Sequence, residues 1–233
     1  HYHAELEEMR ANLLRAVSHD LRTPLTSISG VASVLVSQPD MPVENRQRLL
    51  REIADDSDWL IRMVENLLSI TRINAQPANL NKNSEAAEEI ISEAVRKFRK
   101  RFPEMPVEIA LPEDLLLVPM DPILIEQVLG NLMENAVLHA QTATRIQVRL
   151  TQEGDSAVFE VSDDGVGVEP KRLKEIFDAV STSDDGRGMG IGLSVCKAII
   201  LAHGGDIEAS NRAGGGACFR FRLPMKEENH ESD

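Results

Sequence analysis

Leu14, Val17, Leu21, Pro24, Ile28, Val31 and Leu35 stand alternately three and four residues apart, and so do Leu49, Ile53, Asp56, Leu60, Met63, Leu67 and Ile70. A seam of that period suits a helix packed along its length against other helices. The stretch "QPDMP" (residues 38–42) lies between the two runs, and its prolines stop one helix and start the next. The expected unit is an antiparallel helical hairpin over residues 1–74. A lone hairpin leaves half of each seam in water. The seams therefore predict pairing with a second copy, a homodimer built on a four-helix bundle.

After residue 74 the period changes. Residues 75–83, "AQPANLNKN", are polar and read as a linker. Residues 84–100 place Ile90, Ile91, Ala94, Val95 and Phe98 on one helical face. "VEIAL", "RIQVRL" and "FRFRL" alternate with period two, and "AVFEV" does so less strictly because Val158 falls on the polar face. "QEGDS" turns the second of these strands into "AVFEV" as a hairpin. Helices over 121–140 and 190–203 would cover the sheet. The fold class is thus multidomain: an α hairpin, then an α+β domain over 84–226 with a two-layer α/β sandwich of mostly antiparallel strands, and a polar tail at 227–233.

The proline in "SHDLRTPL" sits inside the first helix at a cost of roughly 3 kcal/mol. Pro24 lacks the N–H that would bond the Asp20 carbonyl, so the helix should loosen beneath His19, which falls at the outward f position. Asp20 can accept from one imidazole nitrogen and leave the other nitrogen's lone pair as a nucleophile. Thr23, one turn on, offers a hydroxyl that could orient a water.

A second group of residues suits a phosphorylated ligand. Gln127, Asn131, Asn135 and His139 form a stripe at four-residue spacing, and amide oxygens suit a Mg²⁺ that already carries phosphate. Asn residues satisfying backbone groups would give the same stripe. "VSDDGVGV" sets Asp163 at a strand end, able to accept from an exocyclic amine, with Gly165 and Gly167 letting backbone approach a ligand. Gly188, Gly190 and Gly192 run into a helix whose free N–H groups would face a phosphate.

Composition bounds the partners. A net charge of −13 argues against nucleic acid or an anionic lipid surface. Cys196 and Cys218 have no spacing that suggests a metal site or a disulfide. No apolar run reaches a bilayer's span, so no membrane contact is expected within these residues. Opening on His1 rather than methionine, the chain is expected to be the later part of a longer protein.

"SHDLRTPLTSISG" resembles the phosphoacceptor box of the sensor histidine kinases of bacterial two-component systems. Asn-x-x-x-Asn, Asp-x-Gly-x-Gly and Gly-x-Gly-x-Gly, in that order, resemble the N, G1 and G2 boxes of the ATP-binding fold that those kinases share with DNA gyrase and the Hsp90 chaperones. The resemblance implies that His19 is phosphorylated from ATP, with Asp20 as general base for the transfer and Thr23 with Asp20 serving the reverse, phosphatase reaction. It gives Asn135 to Mg²⁺, Asn131 to the phosphate side, Asp163 to the adenine amine, and the glycines to a lid over residues 178–189. It also implies a response-regulator receiver domain as partner, and a cytoplasmic portion of a membrane-anchored sensor. The C-terminal "AHGGDIEASNRAGGGACFRFRLP" resembles the Kdp-type potassium sensors.

Two positions depart from the family pattern: Leu138 stands where a lysine is common, and Val180 where a second aromatic follows Phe177. They leave room for a nucleotide-binding dimeric scaffold without phosphotransfer. A hydrolysing ATPase of the gyrase kind is the third alternative. By resemblance it needs a glutamate base four residues before the second Asn, where this chain has Asn131.

Overall fold

The structure, a computed structural model, describes residues 21–75, 80–139, 142–177 and 190–226, apart from the side chains of residues 70, 72–75, 139, 190 and 191. The described residues part into two compact units between Leu68 and Ser69, with Gly190 and Ile191 falling to the first.

In the first unit, helix α1 (residues 21–37) and helix α2 (Val43–Ala75) are joined by residues 38–42. Gln38 N–H still bonds the Val34 carbonyl (3.0 Å), and Met41 N–H bonds back to Gln38 (3.3 Å) across a turn with Pro39 in its second position. The Arg46 guanidinium donates to the Pro39 carbonyl, and Glu44 places a negative charge in the first turn of α2. These contacts realise the helix stop and restart expected at "QPDMP". Along the seams Pro24 and Met63 are buried, and Leu21, Ile28, Leu35, Leu49, Ile53 and Leu60 are half-buried. A second stripe on α2 is not covered: Leu50, Ile61, Val64 and Leu68 are 46–57% exposed. The backbone stays helical through Pro24; Asp20, where loosening was expected, lies outside the described residues.

The second unit holds β1 (Asn83–Ala86), α3 (Ala87–Arg101), β2 (Val107–Ala110), β3 (Leu117–Met120), α4 (Pro122–His139), β4 (Ile146–Glu153), β5 (Ser156–Asp163), α5 (Gly190–Ala202), β6 (Asp206–Asn211) and β7 (Ala217–Pro224). Five strands form one sheet in the order β2-β4-β5-β7-β6, in which only β2 and β4 run parallel. The hairpin expected at "QEGDS" is present, with Glu153 opposite Ser156. Helices laid on this mixed sheet make the two-layer α/β sandwich.

Helix α3 buries Ile90, Ile91, Ala94, Val95 and Phe98, the face its spacing predicts, and its Glu88 and Glu89 at the start and Arg99, Lys100 and Arg101 at the end complement the helix dipole. It begins at Ala87 rather than at 84. Residues 83–86 are drawn into β1, which pairs antiparallel with β3 as a separate two-stranded sheet. Ala87 N–H bonds the Leu116 carbonyl (3.0 Å) and Glu88 Oε1 accepts from Leu116 N–H (2.9 Å), so a partner remote in sequence sets the helix start.

The core is mostly aliphatic, with a few buried phenylalanines. Phe159 and Phe221 face each other across β5 and β7, stacked with centroids 4.6 Å apart and both fully buried. Val158, the residue that breaks alternation, is also fully buried on β5, the middle strand. Replacing Phe159 with Ala should lower stability by roughly 3–5 kcal/mol in urea unfolding followed by circular dichroism. Replacing Arg149, whose pairing with Glu160 is long at 4.0 Å, should stay within about 0.5 kcal/mol.

Candidate nucleotide-binding site

Strand β5 delivers Asp163 to its end, 3% exposed. Its Oδ1 accepts from Gly165 N–H (2.8 Å) and from Ala217 N–H (3.3 Å), while Oδ2 makes no hydrogen bond with the described residues. The Asp163 carbonyl accepts from the Arg212 guanidinium (3.0 Å). At Gly216 the backbone has φ +92° and an added Cβ would lie 2.0 Å from that same carbonyl, so only glycine fits. The β6–β7 turn is therefore pressed directly against the Asp163 loop.

The rest of the loop is fastened from both sides. Asn211, at the end of β6, accepts from Val168 N–H (2.8 Å) and donates to the Val168 carbonyl (2.7 Å). Gly167, at φ +77°, has no room for a Cβ because Asn211 Oδ1 would lie 2.7 Å away. On the other side Asp164 accepts from Thr144 N–H (2.7 Å), the Thr144 hydroxyl (2.6 Å) and Arg145 N–H (3.1 Å). These bonds, the Thr144 hydroxyl foremost, hold the Asp164 carboxyl at a pKa of about 2.

Helix α4 carries the amide stripe, and the described members have different surroundings. Gln127 accepts from the Ser69 hydroxyl (2.6 Å). Asn131 donates to the Gly192 carbonyl in the first turns of α5 (3.4 Å) and also bonds Cys196, whose thiol burial pushes up to about 12. Asn135 is half-buried and makes no hydrogen bond with the described residues. The expectation that such amides could serve backbone groups thus fits Asn131 and not Asn135. At Gly192 an added Cβ would meet nothing nearer than Asn131 Cγ at 4.0 Å. Packing against the described residues does not require glycine there. Phe177 is buried edge-on against Phe219, with centroids 6.2 Å apart.

Residues 120–227 match the family described as histidine kinase-, DNA gyrase B- and HSP90-like ATPase, and residues 9–76 match the His Kinase A phospho-acceptor domain. The chain belongs to the sensor histidine kinases. It is similar to the sensor protein KdpD of Clostridium acetobutylicum, 42% identical over 228 residues that make up 95% of this chain and 25% of that protein. It is also similar to KdpD of Escherichia coli, at 38% identity over 98% of this chain and 26% of that protein. The chain thus spans about a quarter of the length of these relatives. Among solved structures, the Acinetobacter baumannii histidine kinase AdeS shares the fold with a TM-score of 0.69 at 23% identity, covering 90% of this chain and 98% of that one. The histidine kinase ThkA, solved in complex with response regulator protein TrrA, gives a TM-score of 0.75 at 23% identity, covering 97% of this chain and 65% of that one.

Of the residues singled out from the sequence, the structure brings Asp163, Gly165 and Gly167 into one loop, and ties Asn131 to Gly192. Gly190 opens α5. Thr23 is exposed on α1, and Leu138 is exposed near the end of α4. His19, Asp20, Gly188, Val180 and the side chain of His139 lie outside the described residues. Sequence reasoning missed Asn211, Arg212, Gly216, Thr144 and Asp164. The run Gly214-Gly215-Gly216 was the available signal, since three glycines in a row between strands mark a backbone forced close to something else.

Because the Asp164 pKa is depressed in the folded chain, its stabilising contribution is complete above the ordinary carboxylate pKa of 3.8 and is lost as pH falls through about 2. Asp164→Asn should therefore be less stable than wild type at neutral pH, and the difference should shrink as pH drops from about 4 toward 2. Thermal unfolding of both proteins across that range measures it.

Proposed function

We propose that this chain is the catalytic portion of a protein-histidine kinase that phosphorylates itself on His19 and passes the phosphoryl group to an aspartate of a response-regulator receiver domain. The observation that carries the reading is the buried Asp163, with Oδ1 taken by two backbone N–H groups and Oδ2 left to accept from the adenine amine. Gly190 and Gly192, with Gly188 before them, would bring backbone N–H groups to the phosphates, and the space beside Gly192 supports this.

A Mg²⁺ fits the donors present. Among the described residues no cluster of His, Cys, Asp or Glu could hold a metal ion alone, and the unpartnered amide of Asn135 offers one neutral oxygen. That suits an ion whose shell is completed by substrate phosphates and water. When bound, the ion would offset phosphate charge. Asn131 would orient this part of α4 toward the phosphate side, and His139 follows at the same four-residue spacing in the sequence.

In the transfer, the free imidazole nitrogen of His19 attacks the γ-phosphorus in line and the bond from that phosphorus to the bridging oxygen breaks, releasing ADP. Asp20 takes the proton from the other ring nitrogen. The phosphoryl group then moves from nitrogen to a receiver carboxylate. The ThkA structure, which contains response regulator TrrA, supports a partner of that kind. Thr23, exposed on α1, would orient water for the reverse, phosphatase reaction.

The exposed stripe Leu50, Ile61, Val64 and Leu68 supports a homodimer through a four-helix bundle. Among the described residues no helix is long and apolar enough to cross a membrane. We place this chain, its relatives being sensor proteins about four times its length, as the cytoplasmic portion of a membrane-anchored sensor of the Kdp type, with the hairpin over 1–74, the linker over 75–83, the ATP-binding domain over 84–226 and the tail over 227–233.

Incubation with γ-labelled ATP and magnesium should give acid-labile, base-stable label on the chain. The label should disappear in His19→Gln and in Asp163→Asn, and persist in Thr23→Ala, which should instead slow dephosphorylation of the receiver. Label retained by His19→Gln would overturn the assignment.

A further inference from the structure

His203 is 2% exposed and follows directly on α5. Gly204, at φ +76°, ends the helix: its N–H bonds the Leu201 carbonyl (2.9 Å) and Gly205 N–H bonds the Ile200 carbonyl (3.0 Å), so the backbone holding the imidazole is fixed by a double cap. The ring bridges two helices. Its Nδ1–H donates to the Ile199 carbonyl on α5 (2.7 Å), and Nε2 accepts the Asp121 N–H ahead of α4 (3.0 Å). Asp121 in turn caps α4, its Oδ1 accepting from Ile123 N–H (3.1 Å) and Leu124 N–H (3.2 Å).

A second joint between the same helices lies further along. Asn131 is ten residues beyond Asp121, and Gly192, which accepts from it, is eleven residues before His203. At about 1.5 Å rise per residue the joints are roughly 15 Å apart along either helix. Helices α4 and α5 therefore run antiparallel and are pinned at both separations. One pin joins the two helices that carry Asn131, Asn135 and Gly192; the other is His203.

We propose that His203 is a positioning residue for the nucleotide site, a latch that sets α5 against α4 only while its Nε2 can accept the Asp121 N–H. The latch rests on the nucleotide-site reading given above. A proton on Nε2 turns the acceptor into a donor that faces another donor, and the bond to Asp121 cannot persist. Burial disfavours the protonated ring and lowers its pKa from 6.5; the Ile199 carbonyl favours it, Lys82 ahead of β1 opposes it, and Asp121 favours it. At neutral pH the latch is closed. As pH falls below 6.5 and through the lowered folded value it opens. By linkage, a nucleotide that prefers the closed arrangement makes His203 harder to protonate.

The test is the affinity of the chain for ADP with magnesium, by calorimetry, between about pH 7.5 and about pH 5.5. His203→Gln keeps an oxygen able to accept the Asp121 N–H and has no proton to gain; His203→Leu has no acceptor. Wild type should lose about tenfold more affinity than His203→Gln across that range, the comparison cancelling the nucleotide's own titration. His203→Leu should bind weakly throughout, with its profile as flat as that of His203→Gln. Parallel profiles for wild type and His203→Gln overturn the latch. Should the variants not fold, the wild-type His203 pKa read by NMR decides: it should fall by about one unit on adding ADP, and an unchanged value overturns the proposal. Failure of wild type to bind ADP at about pH 7.5 would instead sink the nucleotide-site reading.

Discussion

One buried oxygen, Asp163 Oδ1, holds together the parts of the second unit that meet at the site. A carboxylate 3% exposed costs several kcal/mol unless hydrogen-bonded, and the two N–H groups that meet this need come from stretches far apart in sequence, Gly165 in the loop after β5 and Ala217 at the start of β7. Satisfying one oxygen therefore brings the loop and the β6–β7 turn together. Gly216 exists to permit the approach, and Arg212 tightens it by donating to the carbonyl of the same aspartate. The fold uses one oxygen of the carboxylate, and the second makes no hydrogen bond with the described residues. The same residue can thus serve the fold and, in the proposed reading, the nucleotide without conflict.

The two joints between α4 and α5 follow the same pattern. Asn131 spends its amide hydrogen on the Gly192 carbonyl, and His203 spends its acceptor nitrogen on the cap of α4. Each polar group is chosen for a partner on the neighbouring helix, between side chains that are otherwise apolar: Val128, Leu132, Val195 and Ile199 are fully buried. Apolar packing alone lets helices slide by small amounts, whereas a directional bond in a low-dielectric interior fixes register. The nucleotide-binding fold therefore combines an aliphatic core with a few hydrogen bonds placed where position matters.

The hairpin, the face of α3, the β4–β5 turn and the strands β2, β4, β5 and β7 were legible because each carries its own periodicity over several residues. β1 and β3 were not. Four residues apiece, they owe their extended form to each other, and β1 took residues 84–86 from a helix that their local pattern allowed. β6 was hidden because "DIEASN" is an exposed edge whose side chains bury little. The chemistry of the site followed the same division. Asp163 and the glycines could be read from spacing within one segment, but Asn211 and Arg212 act 43 and 49 residues away from their partners, and a single sequence contains no sign of that pairing. His203 could be read only as the residue before a glycine pair, since its role depends on Asp121, 82 positions earlier.

The identity of Asn131 also bears on where a phosphoryl group can go. The family resemblance implies, for hydrolysing enzymes of the gyrase kind, a glutamate base four residues before the second Asn, where this chain has Asn131. An amide at that position has no lone pair basic enough to take a proton, and here its hydrogen is already committed to the Gly192 carbonyl. Water near the γ-phosphate would gain no help from it. Transfer then needs a nucleophile that brings its own reactivity and its own proton acceptor. A histidine beside an aspartate meets both needs, and His19-Asp20 is such a pair within this same chain. The amide that ties α5 to α4 thus fits the proposed transfer to His19 better than it fits hydrolysis.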